Sequence, residues 1–153
     1  MPEFAIRKAT LQDEAEFLRM MRLFDEQEPA PSNLMKPHCA APSGNFLTLP
    51  AFGQVWMLCE GRKTVGYVAL TVGFSFEFRG HDAFIDELYI DVAYRRRGYG
   101  RRALAFAEER AREMGVNAVH LEVDRGNDPA LELYRRTGYQ DHDRFLRTKW
   151  LKH

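Results

Sequence analysis

The sequence is poor in the features that mark several large classes of protein. It has only two cysteines, Cys39 and Cys59, and they do not form a CxxC pair. A disulfide framework or a structural zinc site is therefore not expected. No apolar run approaches the about 20 residues that a membrane span needs, and the first residues lack the pattern of a signal peptide. We therefore expect a cytoplasmic protein with no metal and no membrane partner.

The sequence also lacks a surplus of charge of either sign. Its 22 basic and 22 acidic side chains cancel to a formal net charge of zero, so composition does not favour a nucleic-acid partner. With 45% apolar and 29% charged residues among 153, the composition is that of a folded globular protein. We expect one domain over residues 1–153, since this length suits a single core.

Hydrophobic periodicity predicts alternating strands and helices. The predicted strands are Phe4–Lys8, Gln54–Glu60, Val65–Phe74, Ala83–Val92 and Val116–Val123, with a closing hairpin over Tyr139–Leu151. The predicted helices begin after Thr10, near Gly100 and after Asp128, which we expect to be an N-cap with Pro129 in the first position. The fold class is therefore α/β, a mixed and mostly antiparallel twisted sheet with helices on both faces.

The most informative segment is a basic, glycine-containing turn between a predicted strand and a predicted helix. Gly98 and Gly100 let the backbone approach a ligand closely, and the first amides of the helix lack intrahelical partners. Together with the positive end of the helix dipole, these amides make a binding site for phosphate. The segment is neither a Walker A loop nor a dinucleotide fingerprint, because the residues that those motifs require are missing.

Two separated patterns resemble the motifs of the GNAT acyltransferase superfamily. Arg95, Gly98 and Gly100 match its (Q/R)-x-x-G-x-(G/A) motif, and the strand Asp86–Arg95 matches the residues that precede it. The segment Asn127–Tyr134, followed by Gly138-Tyr139, is similar to the second motif, N-x-x-A-x-x-L-Y-x-x-x-G-(F/Y). The acidic pair before Leu-Tyr-Ile and the Asn-Asp-Pro sequence most resemble the spermidine/spermine acetyltransferase-like group.

The resemblance implies an acyl-CoA N-acyltransferase fold, with acetyl-CoA in a cleft where two central parallel strands splay apart. Backbone groups of Leu88–Ile90 would pair with the pantetheine arm, and amides of Arg96–Arg101 would hold the pyrophosphate. The full set of cofactor-binding residues that it implies is Leu88, Tyr89, Ile90, Arg95, Arg96, Arg97, Gly98, Tyr99, Gly100, Arg101, Asn127, Asp128, Pro129, Ala130 and Tyr134.

Acetyl transfer to an amine needs a base for the ammonium proton and a donor for the departing thiolate. The resemblance implies that Tyr134 is that donor. Asp86 and Glu87 are both candidates for the base, the first by similarity to the polyamine-type enzymes and the second because glutamate is the commoner base in the superfamily. Because consecutive strand residues point to opposite faces, we expect only one of them to face the cleft.

The sequence says little about the acceptor. We expect a primary amine of a small molecule or a peptide, with direct transfer in a ternary complex. Asp25, Glu26, Glu28 and Glu77 could attract a cationic amine or could simply be a solvated acidic surface. The aromatic run Phe74, Phe76 and Phe78 could line a pocket, pack in the core or lie at the interface of an expected homodimer. An acyl-CoA sensor without turnover is the alternative to an enzyme.

Overall fold

One open sheet of five strands, in the order β1-β2-β3-β4-β5, organises the chain. The computed structural model describes residues 2–28 and 45–151. The strands are β1 (Phe4–Lys8), β2 (Gly53–Glu60), β3 (Lys63–Ser75), β4 (Gly80–Ile90) and β5 (Ala118–Leu121). The first four pair antiparallel with their sequence neighbours, and β5 pairs parallel with β4. The predicted mixed and mostly antiparallel α/β fold is therefore confirmed.

Within the described residues, four α-helices connect and cover the strands. They are α1 (Glu14–Gln27), the short α2 (Asn45–Thr48), α3 (Tyr99–Glu113) and α4 (Asp128–Arg136). The expected irregular segment before α2 lies mostly outside the described residues, and Cys39 lies there too. Gly115 ends α3 as predicted, with a left-handed φ of 74° directly after the C-cap Met114.

The sheet is covered on both faces, as the sequence predicts. On one face, Phe17 and Met20 of α1 pack in a buried cluster with Met57, Tyr67 and Tyr89 of the sheet. On the other face, α3 buries its small and aliphatic side chains against the strands; these are Ala103, Leu104, Ala107 and Ala111, all 0% exposed.

Phe106 of α3, whose partner the sequence does not reveal, packs edge-on against Trp56 of β2 at 5.5 Å between ring centroids. Burial of aromatic and aliphatic surface of this kind is the main force that holds a helix on a sheet.

A β-bulge interrupts the pairing of β3 with β4. Ala69 pairs with Glu87 and the next residue, Leu70, pairs with Ile85, so Asp86 is an extra residue with no partner on β3. A bulge of this kind shifts the alternation of side chains by one position. In a regular strand, residues four positions apart lie on the same face. Here Ile85 lies in the cluster under α3 and Tyr89 in the cluster under α1, on opposite faces of the sheet.

The predicted closing hairpin is not formed. Residues 139–151 have neither helix nor strand structure, and β5 is the last strand of the described sheet. The side chains of this segment, Phe145 and Leu151 among them, are largely exposed. Strand propensity reflects the fit of a side chain to a half-buried pleated surface and does not by itself provide backbone pairing; the described sheet includes no strand from this segment.

Candidate functional site

A cleft opens where β4 and β5 separate. Their parallel pairing covers only four residue pairs, from Asp82 with Ala118 to Ile85 with Leu121. Beyond it, β4 continues to Ile90, while the chain after β5 leaves the sheet and leads to α4. The resulting cavity has a volume of about 1070 Å³ and is lined mainly by β4, the β5–α4 segment, the start of α3 and the end of α1. A cavity of this size holds a ligand larger than an ordinary metabolite.

Both carboxylates of the predicted acid pair line this cleft. The expectation that only one of them faces it is wrong, and the bulge is the reason. The side chain of Asp86 continues the alternation between sheet faces that precedes the bulge, and the side chain of Glu87 begins the alternation that follows it. The two residues of a bulge therefore project towards the same side of the sheet.

Glu87 is held in place by a tyrosine that sequence reasoning did not identify. The Tyr67 hydroxyl donates a hydrogen bond of 2.6 Å to a Glu87 carboxylate oxygen. Tyr67 is itself 0% exposed, so burial and the nearby Glu87 carboxylate raise the pKa of its phenol. A phenol that stays protonated is a permanent donor, and this bond orients the Glu87 carboxylate.

Asp86 differs from Glu87 in its surroundings. Its side chain is open to solvent in the cleft, but the surrounding protein displaces part of its hydration and raises the pKa of the carboxyl. The two neighbours therefore differ chemically: one carboxylate is fixed by a hydrogen bond and the other is made more basic by partial desolvation.

Tyr134 of α4 also lines the cleft. Its ring is half-buried and lies 5.8 Å from the ring of Tyr139, centroid to centroid. Burial raises the pKa of the Tyr134 phenol, and the negative charge of Glu28, which lines the same cleft from the end of α1, adds to this effect. The phenol is consequently kept protonated at neutral pH and can act as a hydrogen-bond or proton donor.

The basic turn forms the other end of the cleft. Arg96 has a positive φ of 65° and Gly98 one of 80°, so the turn bends sharply enough to present the first amides of α3. Arg96, Gly98, Gly100 and Arg101 all line the cleft. Left-handed residues before a helix N-terminus and two guanidinium groups beside it make a concave site for an anion.

Three residues of the predicted cofactor set are not among the lining residues of the described cleft; they are Arg97, Tyr99 and Asp128. The Arg97 guanidinium lies 3.2 Å from the carboxylate of Glu60. The Tyr99 hydroxyl donates to the same carboxylate, and its ring stacks on Phe4 at 4.1 Å. Glu60, at the end of β2, therefore holds both side chains away from the cleft.

Arg95 lines the cleft, but its guanidinium is already bound within the protein. It donates to the backbone carbonyl of Ile90 and to the side chain of Gln27, both at 2.8 Å. Arg95 therefore ties the end of β4 to the end of α1. Arg95 in this way supports the walls of the cleft. The sequence pattern does not identify Gln27 as its partner.

The second motif shapes the opposite wall. The Asn127 side chain accepts a hydrogen bond from the Ala130 backbone N–H at 3.3 Å, so Asn127, and not the predicted Asp128, is the N-cap of α4. The prediction is one residue too late, because an Asp directly before a Pro is also the usual pattern of an N-cap followed by the first helical residue. Asn127, Pro129 and Ala130 line the cleft together with Tyr134, as do Leu88, Tyr89 and Ile90 of β4.

Other candidate residues lie away from the cleft. The Glu77 carboxylate pairs with Arg144 through two hydrogen bonds of 2.8 Å. Of the aromatic run, Phe78 is half-buried against the rings of His120 and His142, while Phe74 and Phe76 are exposed. Within residues 2–28 and 45–151, no cluster of three or more metal-ligating side chains occurs. Among the described helices, none has the length and apolarity to cross a membrane.

Residues 17–139 match the model of the acetyltransferase (GNAT) family. This match covers most of the chain, and the chain belongs to that family. Strands β2 to β5 and both motif regions lie within the matched residues, whereas β1 precedes them.

The chain is similar to several known proteins. It is 31% identical to the N-alpha-acetyltransferase RimI of Mycobacterium tuberculosis over 119 residues, which is 78% of this chain and 66% of RimI. It is 39% identical over 62 residues to the uncharacterized N-acetyltransferase YycN of Bacillus subtilis, which is 40% of each chain. The matched part of the chain thus spans between two fifths and two thirds of these relatives.

Among solved structures, the integron cassette protein HFX_CASS3 from the mobile metagenome of Cole Harbour Salt Marsh superposes with a TM-score of 0.78. It is 28% identical in sequence, and the superposition covers 97% of this chain and 91% of that one. The structural similarity therefore extends over nearly the whole chain and not only over the motif region.

Proposed function

We propose that this chain is an acetyl-CoA-dependent N-acetyltransferase that moves an acetyl group directly to a primary amine of a small molecule or a peptide. Membership of the acetyltransferase family supports the reaction class. One observation supports the mechanism: Glu87 and Tyr134, a proton acceptor and a proton donor, project into the same cleft from β4 and α4. No cysteine is among the described lining residues, which agrees with transfer that needs no acyl-enzyme.

The cleft fits acetyl-CoA in three respects. The amides at the start of α3, with Arg96 and Arg101 beside them, suit the pyrophosphate. The ladder of β4 with β5 ends at Ile85 and Leu121, while β4 continues to Ile90, so the edge of β4 beyond the ladder suits the amides of the pantetheine arm. The cavity of about 1070 Å³ leaves room for a second substrate. Acetyl-CoA supplies the activated thioester from which the acetyl group is transferred.

We assign the base to Glu87. An alkylamine with a pKa near ~10.4 is protonated at neutral pH and must lose a proton before it can attack. The Tyr67 hydrogen bond of 2.6 Å fixes the Glu87 carboxylate on the face of the sheet that α1 covers. Glu87 can therefore accept the ammonium proton directly or through one water. Asp86, its neighbour in the bulge, adds negative charge that favours a cationic acceptor.

We assign the acid to Tyr134. When the amine attacks, the thiolate of coenzyme A departs and is stabilised by a proton. The raised pKa of the Tyr134 phenol keeps the hydroxyl protonated until that moment. Phe24 and Glu28 line the cleft near the end of α1, and a carboxylate beside an aromatic ring suits an amine that carries positive charge in solution. The similarity to an N-alpha-acetyltransferase agrees with an amine acceptor.

The cofactor assignment predicts a difference between two arginines of one turn. We expect the Arg101→Ala protein to bind acetyl-CoA about tenfold or more weakly, because a hydrogen bond to a charged group contributes about 1.5–3 kcal/mol. The Arg97→Ala protein should keep the affinity within about twofold, since Arg97 faces Glu60 outside the cleft. Isothermal titration calorimetry measures both values. A larger loss in Arg97→Ala than in Arg101→Ala would contradict the assignment.

The proposed reaction predicts release of free thiol from acetyl-CoA when the correct amine is present. A panel of polyamines, aminoglycosides, amino acids and peptides with free N-termini identifies the acceptor class. With that acceptor, Tyr134→Phe should lower kcat by about 100-fold, the usual contribution of a general acid.

Tyr139→Phe is the matched control for that measurement. It removes a hydroxyl from the neighbouring ring, which is not part of the described cleft lining, and kcat should stay within about twofold. If acetyl-CoA stabilised the protein but no amine of the panel caused release of free thiol from acetyl-CoA, the protein would be a sensor and the proposal would be contradicted.

The base assignment predicts unequal effects in the acidic pair. Glu87→Gln should lower kcat/KM by about 100-fold and remove the acidic limb of its pH profile. Asp86→Asn should act mainly on KM and should keep the limb. If Asp86 were the base, titration of its carboxyl, whose pKa is raised, would produce the acidic limb of the pH profile. That limb would then disappear in Asp86→Asn, and Glu87→Gln would have the smaller effect on kcat/KM. Rate measurements from pH 5 to 9 separate these outcomes.

A further inference from the structure

The two residues that flank Gly98 in the basic turn share one partner. The Arg97 guanidinium lies 3.2 Å from the Glu60 carboxylate, and the Tyr99 hydroxyl donates to the same carboxylate. Gly98, between them, is the left-handed N-cap residue of α3 and lines the cleft. A single carboxylate outside the cleft therefore holds the turn on both sides of the residue at which it bends.

The pairing of β1 with β2 places Glu60 beside the start of α3. Phe4 and Glu60 are direct partners in this pairing, so their side chains project from the same face of the sheet. That face is the one that α3 covers, because Phe4 is buried in the same cluster as Leu104 of α3. The Glu60 side chain is only 13% exposed. Its position is therefore determined by the sheet and not by the turn.

Of the two connections to Glu60, the one through Tyr99 is the stronger. The Tyr99 ring also stacks on the Phe4 ring, with 4.1 Å between centroids and 16° between planes. The Arg97 side chain is 47% exposed, and an exposed ion pair contributes little to stability. Loss of the Arg97 side chain alone should therefore leave the turn in place, whereas loss of the Glu60 carboxylate removes both connections.

The turn needs such support because its backbone is strained. Arg96 has a φ of 65°, a left-handed conformation that costs free energy in residues other than glycine. A residue keeps this conformation only where the surrounding structure holds it there. The side chains before and after it, Arg95 and Arg97, are both bound to residues outside the turn. The amides at the start of α3 are therefore positioned for an anion only while these contacts persist.

We propose that Glu60 is a positioning residue for acetyl-CoA, which fixes the anion-binding turn through Tyr99 and Arg97 and does not touch the cofactor. Glu60 is not among the residues that line the cleft in the described part of the chain. The proposal rests on the acetyl-CoA site proposed above and adds the residue that keeps this site in its binding conformation. A protein that holds such a conformation for only a fraction of the time binds its ligand more weakly by that fraction.

Isothermal titration calorimetry with acetyl-CoA tests the proposal. Glu60→Ala removes both connections, and we expect the dissociation constant to rise about tenfold, which corresponds to about a tenth of the molecules in the binding conformation. Glu60→Gln keeps a carbonyl oxygen that accepts from the Tyr99 hydroxyl and should bind within about threefold of the parent protein. Glu77→Ala is the matched control, since it removes a carboxylate that pairs with Arg144 away from the cleft, and its affinity should stay within about twofold.

Tyr99→Phe is a second variant that leaves Glu60 and the ring stacked on Phe4 in place. It should weaken acetyl-CoA binding about threefold or more, because it removes only the hydrogen bond to the Glu60 carboxylate. In the Glu60→Ala background the same change should add no further loss, since both changes remove one contact. Circular dichroism and the melting curve establish that each variant is folded.

Steady-state kinetics with an amine of the acceptor class separates positioning from general damage to the protein. Glu60→Ala should raise the KM for acetyl-CoA about tenfold and keep kcat at saturating acetyl-CoA within about twofold, because the bound cofactor selects the ordered turn. The KM for the amine should not change. A fall in kcat with an unchanged KM for acetyl-CoA would overturn the proposal.

The binding results also distinguish this proposal from the proposed function. A parent protein that binds acetyl-CoA, together with unchanged affinity in Glu60→Ala and Tyr99→Phe, would overturn the role of Glu60 and leave the proposed function in place. Tighter binding by Glu60→Ala would overturn it too, because Glu60 would then only withhold Arg97 from the phosphates. A parent protein that does not bind acetyl-CoA would contradict the proposed function and the role of Glu60 together.

Discussion

The four-residue parallel pairing of β4 with β5 is the constraint on which the candidate site depends. It holds the two strands together from Asp82 to Ile85 and then ends, while β4 continues along β3 to Ile90. The part of β4 beyond this point forms one wall of the cleft. The burial of α1 and α3 on opposite faces, together with the pairing of β4 to β3, keeps β4 in place beyond the ladder with β5. The cleft thus depends on packing on both faces of the sheet, which holds β4 where its pairing with β5 has ended.

The bulge at Asp86 adds chemistry to this geometry. It places two adjacent carboxylates on one side of the sheet, which regular alternation does not allow. Tyr67 then distinguishes them through its hydrogen bond to Glu87. Across the cleft, burial keeps Tyr134 protonated. The proposed acetyl transfer needs one group that accepts the ammonium proton and one that donates a proton to the departing thiolate. Separate elements of the fold hold these two groups, Glu87 and Tyr134.

The sequence predicts the fold class and the anion-binding turn because both depend on local signals: hydrophobic periodicity, glycines and helix termini. It does not predict the bulge, since the position of an extra residue is decided by the pairing of Ala69 and Leu70 on the neighbouring strand. It also does not predict that Arg97 and Tyr99 turn towards Glu60, which is about forty positions away in the chain. The closing hairpin is predicted from the local sequence pattern, and a local pattern does not supply a partner strand.

The central claim is that acetyl-CoA binds between the part of β4 beyond its pairing with β5 and the start of α3. Amide hydrogen exchange with and without acetyl-CoA tests it most directly, because exchange reports new backbone hydrogen bonds residue by residue. We predict slower exchange at residues 86–90 and at the first amides of α3, Tyr99 to Arg101, with β1 and β2 unchanged. Tight binding that leaves exchange at both of these segments unaltered would contradict the account.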